Sequence, residues 1–460
     1  MKPIAGVPVV TAAAMRAAET AAMTREVTVD TLMARAGTAV AEAVRRLGSG
    51  AETLVLCGPG NNGGDGYVAA AALHLAGIPV RVAASGEPRT DAARQARAQW
   101  QGPVETLAAA IPAPVLLDAL FGTGLTRPLD ADVAERFCRL ADAAQVRIAV
   151  DVPSGVASDD GAVLGDVPSF GLTLALGAAK PAHLLQPAAR LCGIVRVLDI
   201  GVPLTSAIAA LDRPRLPEPG SDSHKFSRGM VAIAAGSMAG AALLASEAAM
   251  RAGAGYVALL GPVRPGTPHA LVRKPFDDHA LADPRIGALL VGPGLGRDDE
   301  AKAILGKALA SDCPLVIDGD ALHLVTPDQL AGRAGPIILT PHAGEFDALF
   351  GNSEGSSKIE RTLAAARAAG AIVVFKGADT VIGAPDGQAR IAGEANDWLS
   401  TAGTGDVLAG SIAATLAAGL APLDAAAAGV WLHRDAARRA GASFIADDLA
   451  AMLTPARASL

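Results

Sequence analysis

What most narrows the folds open to this chain is a repeated alternation. Short, unbroken apolar runs stop at Gly, Pro or Asp, and longer alanine-rich segments separate them. In the first half the runs are Thr53–Cys57, Val80–Ala83, Val115–Leu117, Ile148–Val150 and Leu172–Leu176, with segments such as Tyr67–Ala76 and Asp91–Gln101 between them. The order reads strand, helix, strand, which calls for a parallel sheet. Apolar residues at consecutive rather than alternate positions mean that the strands are buried on both faces.

A second series begins after the proline-rich stretch Arg213–Gly220, which cannot continue a helix and has the composition of a linker. Its expected strands are Val231–Ala235, Tyr256–Leu260, Ala288–Val291, Leu315–Ile317, Ile337–Leu339 and Ile372–Phe375, followed by a helical C-terminal third. The 460 residues are therefore expected to form two α/β domains, 1–212 and 213–460.

Composition then excludes classes of partner. A net charge of −7 with no basic block argues against nucleic acid or an anionic membrane surface, and leaves a small molecule as the expected ligand. Cys57, Cys138, Cys192 and Cys313 are far apart with no CxxC spacing, so neither a zinc site nor a disulfide framework is expected. Met1–Met23 has Pro, Thr, Arg and Glu scattered through it and lacks the core of a secretory signal. The most membrane-like stretch, Leu408–Leu432, contains Pro422 and Asp424 and suits a packed helix pair better than a bilayer span. A cytoplasmic protein is expected, and its weakly charged, alanine-rich helices are expected to bury a homo-oligomer interface.

Glycine-rich segments sit where strands hand over to helices. The run Cys57-Gly-Pro-Gly-Asn61-Asn62-Gly63-Gly64-Asp65-Gly66 is placed where backbone N–H groups and a helix dipole attract an anion. It is not an ordinary dinucleotide fingerprint, because the following strand ends without an acidic residue and no Gly-Lys-Ser/Thr is present. Two further strands end in carboxylates. Asp118 leads into Ala-Leu-Phe-Gly-Thr-Gly-Leu125, and Asp151 leads into Val-Pro-Ser154-Gly. Ligands of open parallel sheets bind beyond the C-terminal strand ends, so Asp65, Asp118 and Asp151 are expected to converge on one crevice. Like charges there favour a bound cation or a raised pKa, either of which suits acid/base chemistry.

These motifs, GPGNNGGDG, DALFGTGL and DVPSG, resemble the N-terminal domain of the NAD(P)H-hydrate repair enzymes, a Rossmann-like parallel-sheet domain, across roughly residues 10–210. The resemblance implies an epimerase that interconverts the R and S forms of hydrated NADH and NADPH (NADHX, NADPHX). It implies that Asn61, Asn62, Gly63, Gly64 and Asp65, with Gly122, Thr123, Gly124, Leu125, Thr126, Arg127 and Pro128, hold the hydrate. Asp151 would contact its nicotinamide portion, while Asn62, Asp118 and Ser154 would ligate potassium (K+).

In the second half, Ser400-Thr-Ala-Gly403-Thr404-Gly405-Asp406 feeds a helix with an acidic residue at its mouth, so backbone dipoles for an anion and a general base would meet. Lys376-Gly377-Ala378-Asp379-Thr380, Thr340-Pro341-His342-Ala-Gly344-Glu345 and Gly292-Pro-Gly294 each follow a strand and would open onto one sheet edge. Lys376 suits phosphate, His342 is as readily a loop residue as a ligand contact, and Glu345 is a candidate for magnesium through water.

With His224-Lys225 and Arg251-Ala-Gly-Ala-Gly255, these segments resemble the ADP-dependent NAD(P)H-hydrate dehydratase domain, a ribokinase-like α/β/α fold, from residue 222 to about 455. The resemblance implies that Lys376, Gly377, Ala378, Asp379, Thr380 and Gly405 bind ADP, that Ala241, Gly294, His342 and Asp406 contact the hydrate, and that Mg2+ is required. One segment departs from the family pattern: Asn396-Asp397-Trp398-Leu399 stands where many relatives have Asn-Pro-Gly. Two other readings stay open on sequence alone. One is a ribokinase-like small-molecule kinase fused to a Rossmann-like ligand-binding module. The other keeps the first half as an interaction or sensor module without activity.

Overall fold

The computed structural model describes residues 1–23, 27–262, 268–353, 355–393 and 395–460. It divides into two compact units, Met1–Ala210 and Leu211–Leu460. In the first, the strands lie in the order Lys2–Pro3, Ile194–Leu198, Leu172–Leu176, Val146–Val150, Val115–Ala119, Thr53–Cys57, Val80–Ala84 and Val104–Thr106. All neighbours are parallel except the first pair. Successive strand residues feed two cores. Val55, Leu117, Ile148 and Leu174 pack under the helices Val29–Leu47 and Asn61–Leu75, whereas Leu54, Leu56, Leu116 and Ala149 pack with Phe137 and Leu140 of the helix Ala131–Asp142. Two-sided burial of this kind contributes roughly 1.5–3 kcal/mol for each large apolar side chain, which is why these runs do not alternate with polar residues.

The glycine-rich run is not a loop throughout. The helix starts at Asn61, so NNGGDG forms its first turns. Glycine disfavours a helix interior, and packing explains its presence. A Cβ on Gly63 would lie 1.9 Å from Gly58 O, and one on Gly66 would lie 2.7 Å from the Ala119 Cβ. The helix therefore rests against the strand ends more closely than any side chain would allow.

The second unit has the α/β/α layering expected from its sequence. Its strands run Val272–Lys274, Tyr256–Leu260, Met230–Ala234, Ile286–Val291, Leu315–Ile317, Ile337–Leu339 and Ile372–Phe375, all parallel. An antiparallel hairpin, Thr380–Gly383 with Ala389–Ala392, then extends the sheet, a feature the apolar pattern did not announce. Alternate residues again face two cores. The segment 408–432 falls within two packed helices, Thr404–Ala417 and Pro422–Ala440, and no helix among the described residues is long and apolar enough to cross a membrane. The abundance of alanine has a local use here. A Cβ on Gly410 would lie 2.2 Å from Ala245 O, so the helices Ala239–Ala252 and Thr404–Ala417 touch backbone to backbone. The proline-rich stretch is not a free tether either, since Leu216 packs on this core and Arg457 donates to Pro217 O at 2.7 Å.

Candidate functional site

In the first unit, Asp118 and Asp151 stand at the C-terminal ends of neighbouring parallel strands, and Asp65 projects from the helix that follows a third. A cavity of about 560 Å³ opens there, lined by Asn61, Asn62, Asp65, Gly122–Leu125 and Asp151, with Glu19 and Lys180 at its inner wall. Gly63 and Gly64 are buried in helix packing instead of facing this space. Thr126, Arg127 and Pro128 continue the loop outward and are exposed. Burial, followed by the charges of Asp151 and Glu19, pushes the Asp65 carboxyl well above the usual carboxylate range. Asp65 therefore holds a proton more readily than an exposed carboxylate does.

Asp151 is held quite differently. Its backbone has φ 66, a left-handed conformation uncommon outside glycine. Its N–H donates to Leu174 O at 2.8 Å, and the Leu176 N–H donates to its Oδ1 at 3.1 Å. The fully buried Lys180 ion-pairs with the same oxygen. Asp118 lies deeper. Its Oδ1 accepts from Ser154 Oγ at 2.7 Å and its Oδ2 from Ser154 N at 2.8 Å, and burial raises it to about 6. Asn62 Nδ2 is buried nearby without a partner.

In the second unit, parallel strands deliver Gly292, Asp318, Thr340 and Lys376 to one sheet edge. The helix beginning at Thr404 brings Gly405 and Asp406 to the same place, so that a Cβ on Gly405 would lie 3.5 Å from Lys376 Nζ and 4.0 Å from Asp318 Oδ2. Lys376 Nζ donates to Asp318 Oδ1 at 2.8 Å and lies 3.8 Å from Glu345 Oε2. Burial, then the charge of Asp318, raises Asp406 to about 6. Gly294 adopts φ 60 and abuts Ala241, as a Cβ there would stand 3.0 Å from the alanine Cβ.

Some of the expected residues serve the fold as much as a ligand. Asp379 is tied to Lys358 Nζ at 2.6 Å and fixes its own turn, leaving Gly377 and Ala378 exposed beside Lys376. Thr380 begins the hairpin. His342 is an exposed helix cap whose Nδ1 accepts from Glu345 N, and the Glu345 carboxylate accepts in return from His342 N at 2.8 Å. The capping box and the approach of Lys376 thus both fall on Oε2 of the buried Glu345.

Two family models match the chain. One described as NAD(P)H-hydrate dehydratase covers residues 231–456, and one described as YjeF-related protein N-terminus covers 29–182. The chain is 36% identical over 395 residues to the bifunctional NAD(P)H-hydrate repair enzyme Nnr of Mycobacterium tuberculosis, covering 82% of this chain and 81% of that one. It is 35% identical to the enzyme of the same name from Salinibacter ruber, covering 97% and 95%. The chain belongs to the bifunctional NAD(P)H-hydrate repair enzymes. A solved structure of the Bacillus subtilis ADP/ATP-dependent NAD(P)H-hydrate dehydratase, co-crystallised with ATP/Mg2+, is 31% identical over 53% of this chain and 94% of its own, with a TM-score of 0.48. With the dehydratase model spanning the second unit, the kinase reading falls away.

For a member of the repair-enzyme family, the residues that sequence reasoning passed over are informative. Asp318 ends the strand Leu315–Ile317 as Asp118 and Asp151 end theirs, so the same signal would have found it. Lys180, like Lys376, is one of only eight lysines and follows a strand, but a bend intervenes. His433 is buried with its Nε2 donating to Thr404 O at 2.9 Å, and it steadies the start of the Asp406 helix from a helix distant in sequence. In the segment that departs from the repair-enzyme pattern, Asn396 Nδ2 donates to Ala437 O and Gly441 O, which anchors the loop carrying the half-exposed Trp398.

Proposed function

We propose that residues 1–212 epimerise NADHX and NADPHX, and that residues 213–460 dehydrate the S epimer with ADP, giving NAD(P)H, AMP and phosphate. The observation that carries this reading is the presence, at the strand ends of each unit, of one strand-end or helix-mouth aspartate near an ion-paired lysine and a glycine-rich helix start. Inversion at C6 requires a bond at that carbon to break and re-form on the other face, and a proton must leave and rejoin along the way. Asp151 is the proton acceptor and Asp65 the donor across the cavity, an arrangement worth about 10²–10⁴ in rate.

Asn62, Asp118 and Ser154 would hold potassium. The fit rests on a buried set of carboxylate, hydroxyl and amide groups in which Asn62 Nδ2 has no partner, so the amide is able to turn its oxygen inward. Potassium there would offset the charge of Asp118.

In the second unit Asp406 takes the proton of the C6 hydroxyl as its oxygen attacks the terminal phosphorus of ADP. The bridging P–O bond breaks and AMP leaves. The ring-nitrogen lone pair then expels phosphate from C6, and loss of a C5 proton gives NAD(P)H. Lys376 and the amides of Gly377, Ala378 and Gly405 bind the nucleotide phosphates, with Asp379 and Thr380 shaping their turn, while Ala241, Gly294 and His342 border the hydrate. Among the described residues no group of three or more His, Cys, Asp or Glu side chains could hold a metal, so magnesium would enter on the phosphates. Cytoplasmic location and self-association belong to the same reading, on the four free cysteines and the alanine-rich helices.

The test is recovery of NADH absorbance from an R/S mixture of NADHX in potassium and magnesium buffer with ADP, ATP or neither. Complete ADP-dependent recovery is expected. Recovery that stops at the S fraction would remove the epimerase assignment, and none with any nucleotide would remove both.

A further inference from the structure

Lys180 has no exposed surface, a rare state for a lysine because its ammonium loses its hydration. Compensation comes from Asp151 Oδ1 and from Leu176 O, which accepts at 2.8 Å. The same short turn, Lys180-Pro181-Ala182-His183, also grips the Asp151 backbone. The Lys180 N–H donates to His183 Nδ1 at 2.9 Å, which leaves the His183 proton on Nε2, and Nε2 donates to Asp151 O at 2.7 Å. Burial holds that ring neutral, at about 4. One turn therefore keeps Asp151 in its left-handed backbone conformation and occupies one of its two carboxylate oxygens, with the Leu176 N–H completing that oxygen's shell. The other oxygen, Oδ2, faces the substrate loop, 3.4 Å from where a Cβ on Gly122 would stand.

We infer that Lys180 is the positioning residue of the epimerisation. It engages Asp151 Oδ1 so that Oδ2 alone is presented, in a fixed position, to the C6 hydroxyl. Lys180 forms no bond with the substrate, and its part is electrostatic and geometric. The inference rests on the reading of Asp151 as the base.

The experiment uses the full chain, Lys180→Ala and Lys180→Met, with an R/S mixture of NADHX and no ADP, and follows the approach to epimer equilibrium by chromatography. ADP is then added, so that dehydration of the S fraction by the second unit serves as an internal control. Both variants are expected to lose about 10²-fold or more in epimerisation kcat, with KM within about threefold of the unaltered chain as befits an interaction that does not bind substrate. Ethylammonium is expected to restore turnover in Lys180→Ala, where it finds the vacated space, and not in Lys180→Met, whose side chain fills it. Methionine retains the volume of the stem, so the kcat comparison survives even where the alanine cavity unfolds the unit. A kcat within about threefold of normal in either variant overturns the inference. So does a kcat loss that matches the fraction of chain found unfolded by circular dichroism, with no response to ethylammonium, the pattern of a lysine that only holds the fold. Failure of the unaltered chain to epimerise overturns the base assignment and this inference with it, and is told apart because it precedes any substitution.

Discussion

Each unit sets a lysine against a strand-end carboxylate, Lys180 fully buried and Lys376 partly so, yet the two pairs leave different groups to do the chemistry. Lys180 contacts Asp151, the proposed base, and among the described residues no lysine ion-pairs with the second unit's proposed base in this way. Lys376 contacts Asp318 at 2.8 Å, with Glu345 at 3.8 Å, and the proposed base Asp406 stands across from that pair and not in it. Asp406 is accordingly pushed up to about 6 by burial and by Asp318. The difference teaches that an ion-paired ammonium has no fixed meaning. Fastened to the proposed base, it is inferred to orient that base; fastened to a neighbouring carboxylate, it is proposed to meet a phosphate.

Removing the bases gives the largest expected effects and tests the division of labour directly. Asp151→Asn should lose epimerisation by about 10³-fold and leave ADP-dependent dehydration of the S epimer intact, and Asp406→Asn should do the reverse. Both are read from the same R/S mixture, by chromatography and by NADH absorbance. A variant that lost both activities would mean that the two chemistries are not separable by unit.

The second pair can be opened next. Lys376→Met leaves Asp318 buried without its cation, and breaking a buried pair this way costs about 3–5 kcal/mol. The second unit should unfold at lower urea, and dehydration should be lost. Adding Asp318→Asn should recover much of the stability and none of the turnover. Recovery of both would reduce the pair to a structural device.

Proton affinity supplies the next step. The Asp406 carboxyl lies near 6 in the folded protein against about 4 for an ordinary carboxylate. As the base, it must be ionised, so dehydration should level off above pH 7 and fall about tenfold per pH unit below 6. The stability effect has the opposite sign. Between pH 4 and 6 the folded state holds this proton and the unfolded state does not, so the contribution of Asp406 to stability declines as pH rises through that window. A dehydration rate that stayed flat down to pH 5 would take the proton away from Asp406.

How much of this was legible in the sequence follows from which contacts are local. The parallel strands were, because two-sided burial writes continuous apolar runs, and strands such as Thr53–Cys57 and Tyr256–Leu260 form over the expected residues. The strand-end carboxylates were legible because topology alone sends them to one edge. Lys180 was not, since its meeting with Asp151 depends on the pairing of the strands Val146–Val150 and Leu172–Leu176 and on the bend that follows. Nor was the helical state of NNGGDG, where propensity points away from helix and close packing overrides it.

The smallest expected effect comes from the glycines, and it separates two motifs that look alike on the page. A Cβ on Gly58 would fall 1.6 Å from Leu120 O, so the first motif has no room for one. A Cβ on Gly405 would meet Lys376 Nζ at 3.5 Å and Asp318 Oδ2 at 4.0 Å, which are ordinary contacts. Gly405→Ala should therefore fold, and its helix should gain roughly 0.5–1 kcal/mol from the lost flexibility of glycine. What the methyl group takes is the space above the ammonium where a phosphate would lie. The expected result is a rise of about three- to tenfold in KM for ADP with kcat nearly unchanged, the mark of lost uniform binding, measured by NADH recovery at graded ADP. An unchanged KM would move the phosphate away from Lys376. Lys376 would then hold Asp318 for the sake of the fold alone.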